Sequence, residues 1–112
     1  MSEQRARDPV RGHTIRWTFT EGTVAGQSYL HTFDTEGTVT YRSADGKPDE
    51  DSGHTARYGS AKISDDVYVV SYLSEGGFTL TVVLNFANDR LIAFASNDKQ
   101  WFQQQGKFEL VD

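Results

Sequence analysis

The stretch Val67-Tyr68-Val69-Val70-Ser71-Tyr72-Leu73 decides the fold class of this chain. It is rich in β-branched and aromatic residues and lies between two turn signals, Ser64-Asp65-Asp66 and Glu75-Gly76-Gly77. A run of this length and composition suits a strand, in which alternate side chains take opposite faces. Tyr68, Val70, Tyr72 and Ser74 form one row; Val67, Val69, Ser71 and Leu73 form the other. Either row could line an interior. The tyrosine row matches an aromatic theme that recurs along the chain.

Working outward, the same alternation reads as strands over His13–Thr20, Gln27–Phe33, Thr38–Arg42, His54–Ile63, Phe78–Phe86 and Arg90–Ser96. The last apolar segment, Trp101 to Phe108, reaches Leu110. Its Gln103-Gln104-Gln105-Gly106 centre leaves strand, bulge and short turn open. Gly22 and Gly26, Gly37, Gly76-Gly77 and Asn88-Asp89 are the turn signals between strands. His54–Ile63 is the weakest strand, with a soft Gly59-Ser60-Ala61 centre that reads as a bulge or a bend at a barrel corner. Val82-Val83-Leu84 is apolar on both faces, as expected of a strand covered on both sides. The expected architecture is all-β: about eight antiparallel strands in meander order, closed into a small barrel.

Residues 1–11 read as a disordered or loosely docked arm ahead of a single domain over 12–112. Residues 43–53 carry acids, glycines and a proline but no large apolar side chain. They read as a solvated loop or as a mobile lid at a barrel mouth.

Composition narrows the function. The chain has 112 residues, no cysteine and a net charge of -5. Disulfides, thiolate metal sites and thiol nucleophiles are therefore excluded. The basic residues are scattered and outnumbered by acids, which argues against a nucleic-acid partner. Met1 to Pro9 has no apolar run behind it, so neither a signal peptide, a membrane span nor a membrane partner is expected. The expected location is the cytoplasm. Nucleophile-elbow, phosphate-loop and dinucleotide signatures are missing, and the 3 histidines lack metal-ligand spacing. No metal and no cofactor are expected.

What remains is the lining. Trp17 shares a strand face with Ile15 and Phe19, and Tyr29 shares one with His31 and Phe33. Val39 and Tyr41 extend that face to the third strand. The larger aromatic set should face inward and carry His31 with it. His31 has the near-neutral reference pKa of a general acid or base, although a buried histidine also serves as an ordinary hydrogen-bonded core residue. A dry core avoids His, Tyr hydroxyls and Ser unless each is paired, whereas a ligand pocket uses a few of them for orientation. Arg57 and Glu75 are the charges nearest the lining. An arginine at a pocket mouth can hold a carboxylate in bidentate fashion.

The segments Gly12-His13-Thr14-Ile15-Arg16-Trp17-Thr18-Phe19, Gly37-Thr38-Val39-Thr40-Tyr41-Arg42, Val67-Tyr68-Val69-Val70-Ser71-Tyr72 and Val82-Val83-Leu84-Asn85-Phe86 resemble the bacterial MoaF-like family. That family is named for molybdenum cofactor biosynthesis protein F. It is similar in turn to the bacterial phenolic acid decarboxylases, and the resemblance, spanning His13 to Leu110, implies a lipocalin-like (calycin) barrel and a homodimer. The decarboxylases use two first-strand tyrosines, an arginine entering the fourth strand and a glutamate just after the central strand. Those positions fall here on Trp17 and Phe19, near Arg57, and on Ser74 with Glu75 one residue away. Trp17 and Phe19 have no hydroxyl, so phenolic acid decarboxylation is not expected.

Three readings follow. In the first, the barrel binds a small aromatic or apolar ligand, with Trp17, Phe19, Tyr29, Phe33, Tyr41, Tyr68 and Tyr72 as walls and His31 and Arg57 as polar handles. In the second it is a cofactor-free lyase, isomerase or cyclase in which His31 and Tyr72 move a proton. In the third the aromatic face is simply a packed core.

Overall fold

The computed structural model describes residues 8–44 and 53–111, all without helix. Eight strands run β1 (His13–Glu21), β2 (Ser28–Phe33), β3 (Thr38–Ser43), β4 (His54–Ser64), β5 (Val67–Leu73), β6 (Thr79–Asn85), β7 (Arg90–Ser96) and β8 (Trp101–Leu110). Each pairs antiparallel with the next, and β8 returns to pair with β1, closing the barrel. No helix among the described residues is long and apolar enough to cross a membrane.

Closure rests on two features of β8. The Gln103-Gln104-Gln105-Gly106 segment, left open by its composition, is regular strand, paired to β7 and β1. Gly106 sits opposite Phe19, where a Cβ would run into the Thr18 carbonyl oxygen and lie 2.9 Å from Phe19 Cα. Only glycine permits β1 and β8 to approach this closely. A closed barrel also has no free edge, so edge-to-edge pairing of strands cannot supply the homodimer that the resemblance implied.

The period-two rule holds around the wall. Ile15, Trp17 and Phe19 on β1, His31 and Phe33 on β2, and Tyr68, Val70 and Tyr72 on β5 are all buried, which settles the choice of row on β5. On β6, Val82 and Leu84 are buried while Val83 is half-buried on the outer face, so this strand is not covered on both sides. The fourth strand is bulged between Lys62 and Ser64 rather than at Gly59, which pairs regularly with Ser71.

One end of the barrel is plugged. Val10 is fully buried there, so the last residues of the expected arm are docked. Asp8 holds them by accepting from the Val10 and Arg11 amides at 2.8 and 3.0 Å, and the Gly12 amide donates to the Phe33 carbonyl at 2.7 Å. Arg11 lies over the Tyr58 ring at 5.4 Å, and the Tyr58 hydroxyl donates to the Asp34 carbonyl at 2.6 Å. Phe33 packs edge-on to Tyr58, and Phe86 to Phe108, with ring centroids 5.0 and 4.9 Å apart. This half of the interior is a packed aromatic core.

Candidate functional site

The other half is hollow. It lies toward the end where the β1–β2, β3–β4, β5–β6 and β7–β8 connections gather, as the meander requires. Trp17 and Phe19 from β1, Tyr29 and His31 from β2, Tyr41 from β3 and Tyr72 from β5 line an open-ended cavity of about 170 Å³. Leu80, Gln104 and Val24 complete its wall. Val24 arrives on the β1–β2 turn, which Gly22 folds over Gln104: at Gly22, with φ of 108°, a Cβ would sit 2.9 Å from Gln104 Cγ. A dry apolar cavity of about 150 Å³ is enough for a benzene-sized guest. Among the described residues no charged side chain faces this space.

His31 is the centre of the site. Its ring stacks on Trp17 with centroids 3.6 Å apart and planes 20° apart, and lies near-parallel to Tyr41 at 5.8 Å. Nε2 and the Tyr72 hydroxyl share a hydrogen bond of 2.8 Å. Burial penalises the imidazolium and lowers the His31 pKa to about 3, so the ring is neutral at physiological pH. Burial also raises the Tyr72 phenol well above its ordinary value, with the Tyr41 and Tyr29 phenols adding to the effect. The pair is thus a neutral imidazole against a neutral phenol.

The bond does not satisfy the site. Among the described residues nothing pairs with His31 Nδ1, Trp17 Nε1 or Gln104 Oε1, all of them buried. If the phenol donates to Nε2, Nδ1 carries an unmatched proton; if Nε2 donates, Nδ1 is an unmatched acceptor. Either tautomer leaves a polar group in want of a partner, at a cost of about 1–3 kcal/mol for each such atom.

The rim is tied across strands. The Glu75 amide donates to the Tyr41 hydroxyl at 3.0 Å, and the Glu75 carboxylate meets His54 Nδ1 at 3.0 Å. The β5–β6 turn is therefore anchored to β3 through Tyr41 and to β4 through His54, and the Tyr41 ring also packs on Tyr72 at 5.0 Å. The reading of residues 43–53 as a lid falls mainly on 45–52, outside the described residues.

Of the residues named from the sequence, Trp17, Phe19, Tyr29, His31, Tyr41 and Tyr72 meet at this cavity. Phe33 and Tyr68 point inward but lie at the packed level, Phe33 beneath His31 and Tyr68 against Phe86. Arg57 is not brought to the site. Tyr58 beside it is buried, so strand alternation turns Arg57 to the exposed outer face, opposite Thr38. Leu80, Val24 and Gln104 were not singled out. Phe102, Gln104, Gly106 and Phe108 share one face of β8, a parity that the run of three glutamines conceals.

The family model described as MoaF-like matches residues 11–109. The chain belongs to the MoaF-like family. No curated protein matches this MoaF-like chain. Its fold is similar to the crystal structure of a Burkholderia vietnamiensis protein provisionally described as a beta-lactamase. The likeness has a TM-score of 0.75 at 19% identity and covers 94% of this chain and 98% of the other, and it establishes the barrel alone. The positions matched to the decarboxylase residues contribute none of that chemistry to this MoaF-like cavity. Trp17 and Phe19 carry no hydroxyl, Arg57 faces outward, and the Ser74 hydroxyl donates to the Phe78 carbonyl at 2.9 Å.

Proposed function

We propose that this MoaF-like barrel binds a small, flat, uncharged aromatic molecule of one or two rings. The observation that carries this reading is an aromatic cavity of about 170 Å³, with no charge on its wall among the described residues and an unsatisfied neutral His31 within it. A ligand there would gain apolar burial and ring contacts worth about 0.5–1.5 kcal/mol per pair. A carboxylate or phosphate would lose its hydration against a wall whose described residues offer no cation, a cost far larger than any single contact returns.

The 2.8 Å bond between His31 and Tyr72 also suits a proton relay. The pKa values weigh against it: an imidazole with pKa about 3 is a weak base at neutral pH, and the raised phenol is a weak acid. The description of the Burkholderia protein does not transfer either: among the described residues no serine, lysine or carboxylate lines this cavity.

The test is a thermal-shift comparison of a neutral two-ring phenol, naphthol, with its anionic counterpart, naphthoate, on wild type and on Leu80→Trp, which fills the cavity. A ligand at a hundred times its Kd stabilises by about 2.7 kcal/mol. Naphthol should raise the melting temperature of wild type by several degrees and of Leu80→Trp by much less, with naphthoate inert on both. Equal shifts by the two compounds, or no shift by either together with no molecule retained in native mass spectrometry, would sink the reading.

A further inference from the structure

The outer wall over β7, β8 and β1 gathers cations on a chain whose net charge is -5. In one cross-strand row, Asn85, Arg90, Lys107 and Thr18 are consecutive partners. The neighbouring row holds Glu109 and Arg16, which pair with each other at 3.0 Å. Arg90 and Lys107 are both exposed and stand directly opposite each other. Like charges in that position repel and weaken a sheet. Among the described residues neither side chain has an ion-pair or hydrogen-bond partner that would relieve the repulsion.

Beside Arg90 the outer wall holds a hollow of about 250 Å³, bordered by Asn85, Asn88, Arg90 and Gln105, with Val83 and Ile92 on its apolar side. The two asparagines are fixed by the β6–β7 turn. Asn85 Oδ1 accepts from the Ala87 amide at 2.9 Å, and Asn88 Oδ1 accepts from the Arg90 amide at 3.1 Å. Because a backbone N–H faces each oxygen, the NH2 groups are what these side chains offer the hollow. The turn is itself pinned to β8 by the Phe108 amide, which donates to the Asp89 carbonyl at 3.0 Å. Among the described residues no carboxylate borders the hollow. The two carboxylates on β1 and β8 are elsewhere: Glu21 stands across β8 opposite Gln105, and Glu109 is engaged by Arg16.

The geometry points to a binding site for a phosphate group, seated between Arg90 and Lys107 with the Asn85, Asn88 and Gln105 amides as further donors. A guanidinium takes two oxygens of a phosphate at once, and the ammonium opposite supplies a compact second charge. A phosphate near neutral pH carries close to two negative charges and matches the pair, whereas a carboxylate leaves one cation unanswered. The donors are held in place before any ligand arrives. This site lies on the outside of the wall and is independent of the aromatic cavity.

Isothermal titration of the full chain tests this, with glucose 6-phosphate, inorganic phosphate and glucose as probes at pH 8 and one fixed, low ionic strength. Wild type should bind glucose 6-phosphate, and Arg90→Gln and Lys107→Gln should each weaken binding by roughly tenfold or more, the scale of losing one charged hydrogen-bond partner. Arg57→Gln removes the same charge from the exposed face of β4 and should leave binding unchanged. A tighter ester assigns the site to a phosphorylated small molecule with its body in the hollow; equal affinities assign it to the free anion. A second readout needs no ligand: with chloride as the only anion, Lys107→Gln should melt above wild type, because the repulsion across the strands is gone. Both positions are exposed, and circular dichroism checks that both variants fold; either one carries the test if the other is lost. Failure of both phosphates to bind, equal binding of glucose, or affinities indifferent to Arg90→Gln and Lys107→Gln overturns the proposal.

Discussion

The imidazole of His31 on β2 and the phenol of Tyr72 on β5 are 2.8 Å apart, although β3 and β4 separate their strands in the sheet. The bond crosses the interior rather than running along the wall, and both of its partners line the cavity. Removing either partner strands the other in a buried setting. His31→Leu and Tyr72→Phe should therefore each destabilise the protein by about 1–3 kcal/mol. The double variant should cost less than the sum, with a coupling of about 0.5–3 kcal/mol. Urea denaturation of the four proteins closes the cycle. Strict additivity would mean that the two side chains act independently.

The same burial makes His31 a source of acid sensitivity. Its folded pKa, about 3, is below the ordinary value of 6.5, so between those limits the unfolded chain binds the proton more readily. The contribution of neutral His31 is whole above pH 6.5 and is lost as pH falls toward 3. The slope from this one group is at most about 1.4 kcal/mol per pH unit. Denaturation midpoints at pH 7 and pH 5 should differ more for wild type than for His31→Leu. An equal loss in both would assign the acid limb between pH 7 and pH 5 to other groups. Asp34 is not one of them: its carboxylate accepts the Thr38 amide, its pKa is lowered from 3.8 chiefly by that bond, and its contribution is lost only at lower pH.

Glycines on this barrel divide by what surrounds them. Gly106→Ala drives a methyl group into the Thr18 carbonyl where β8 closes on β1, and should cost more than about 2–3 kcal/mol or prevent closure altogether. Gly59→Ala places its methyl in open space at a φ any residue adopts, and should leave stability unchanged or raise it by about 0.4–1 kcal/mol. Thermal melts of the two variants decide the matter. Similar midpoints would remove the special status assigned to Gly106.

Alternation along single strands made Trp17, His31 and Tyr72 legible as interior residues, because the period of two is a local property of the chain. It tells side, not height. Phe33 and Tyr68 obey the same parity as Tyr29 and Tyr72, yet lie at the packed level, which depends on the stagger of strands around the barrel. Gln104 was concealed because three consecutive glutamines carry no alternation. Arg57 was read from the strand map as a polar handle at the pocket mouth, whereas buried Tyr58 next to it turns it to the exposed outer face. Closure of β8 on β1 joins residues some ninety positions apart, such as Trp17 and Phe108, and nothing local announces it.

The protein's two tryptophans offer a direct report on the cavity. Trp17 is fully buried at its wall, and Trp101 is 68% exposed on the outside of β8. In Trp101→Phe the remaining emission comes from Trp17 alone. Acrylamide should quench it poorly, and wild type should show an additional quenchable component. A neutral aromatic ligand seated in the cavity lies against the Trp17 ring or its His31 neighbour, stacked at 3.6 Å, and must alter that emission. Titrating naphthol into Trp101→Phe should therefore give a saturable change whose midpoint follows the thermal stabilisation. Stabilisation without any change in Trp17 emission would place the ligand elsewhere on the molecule and take the aromatic cavity out of the account.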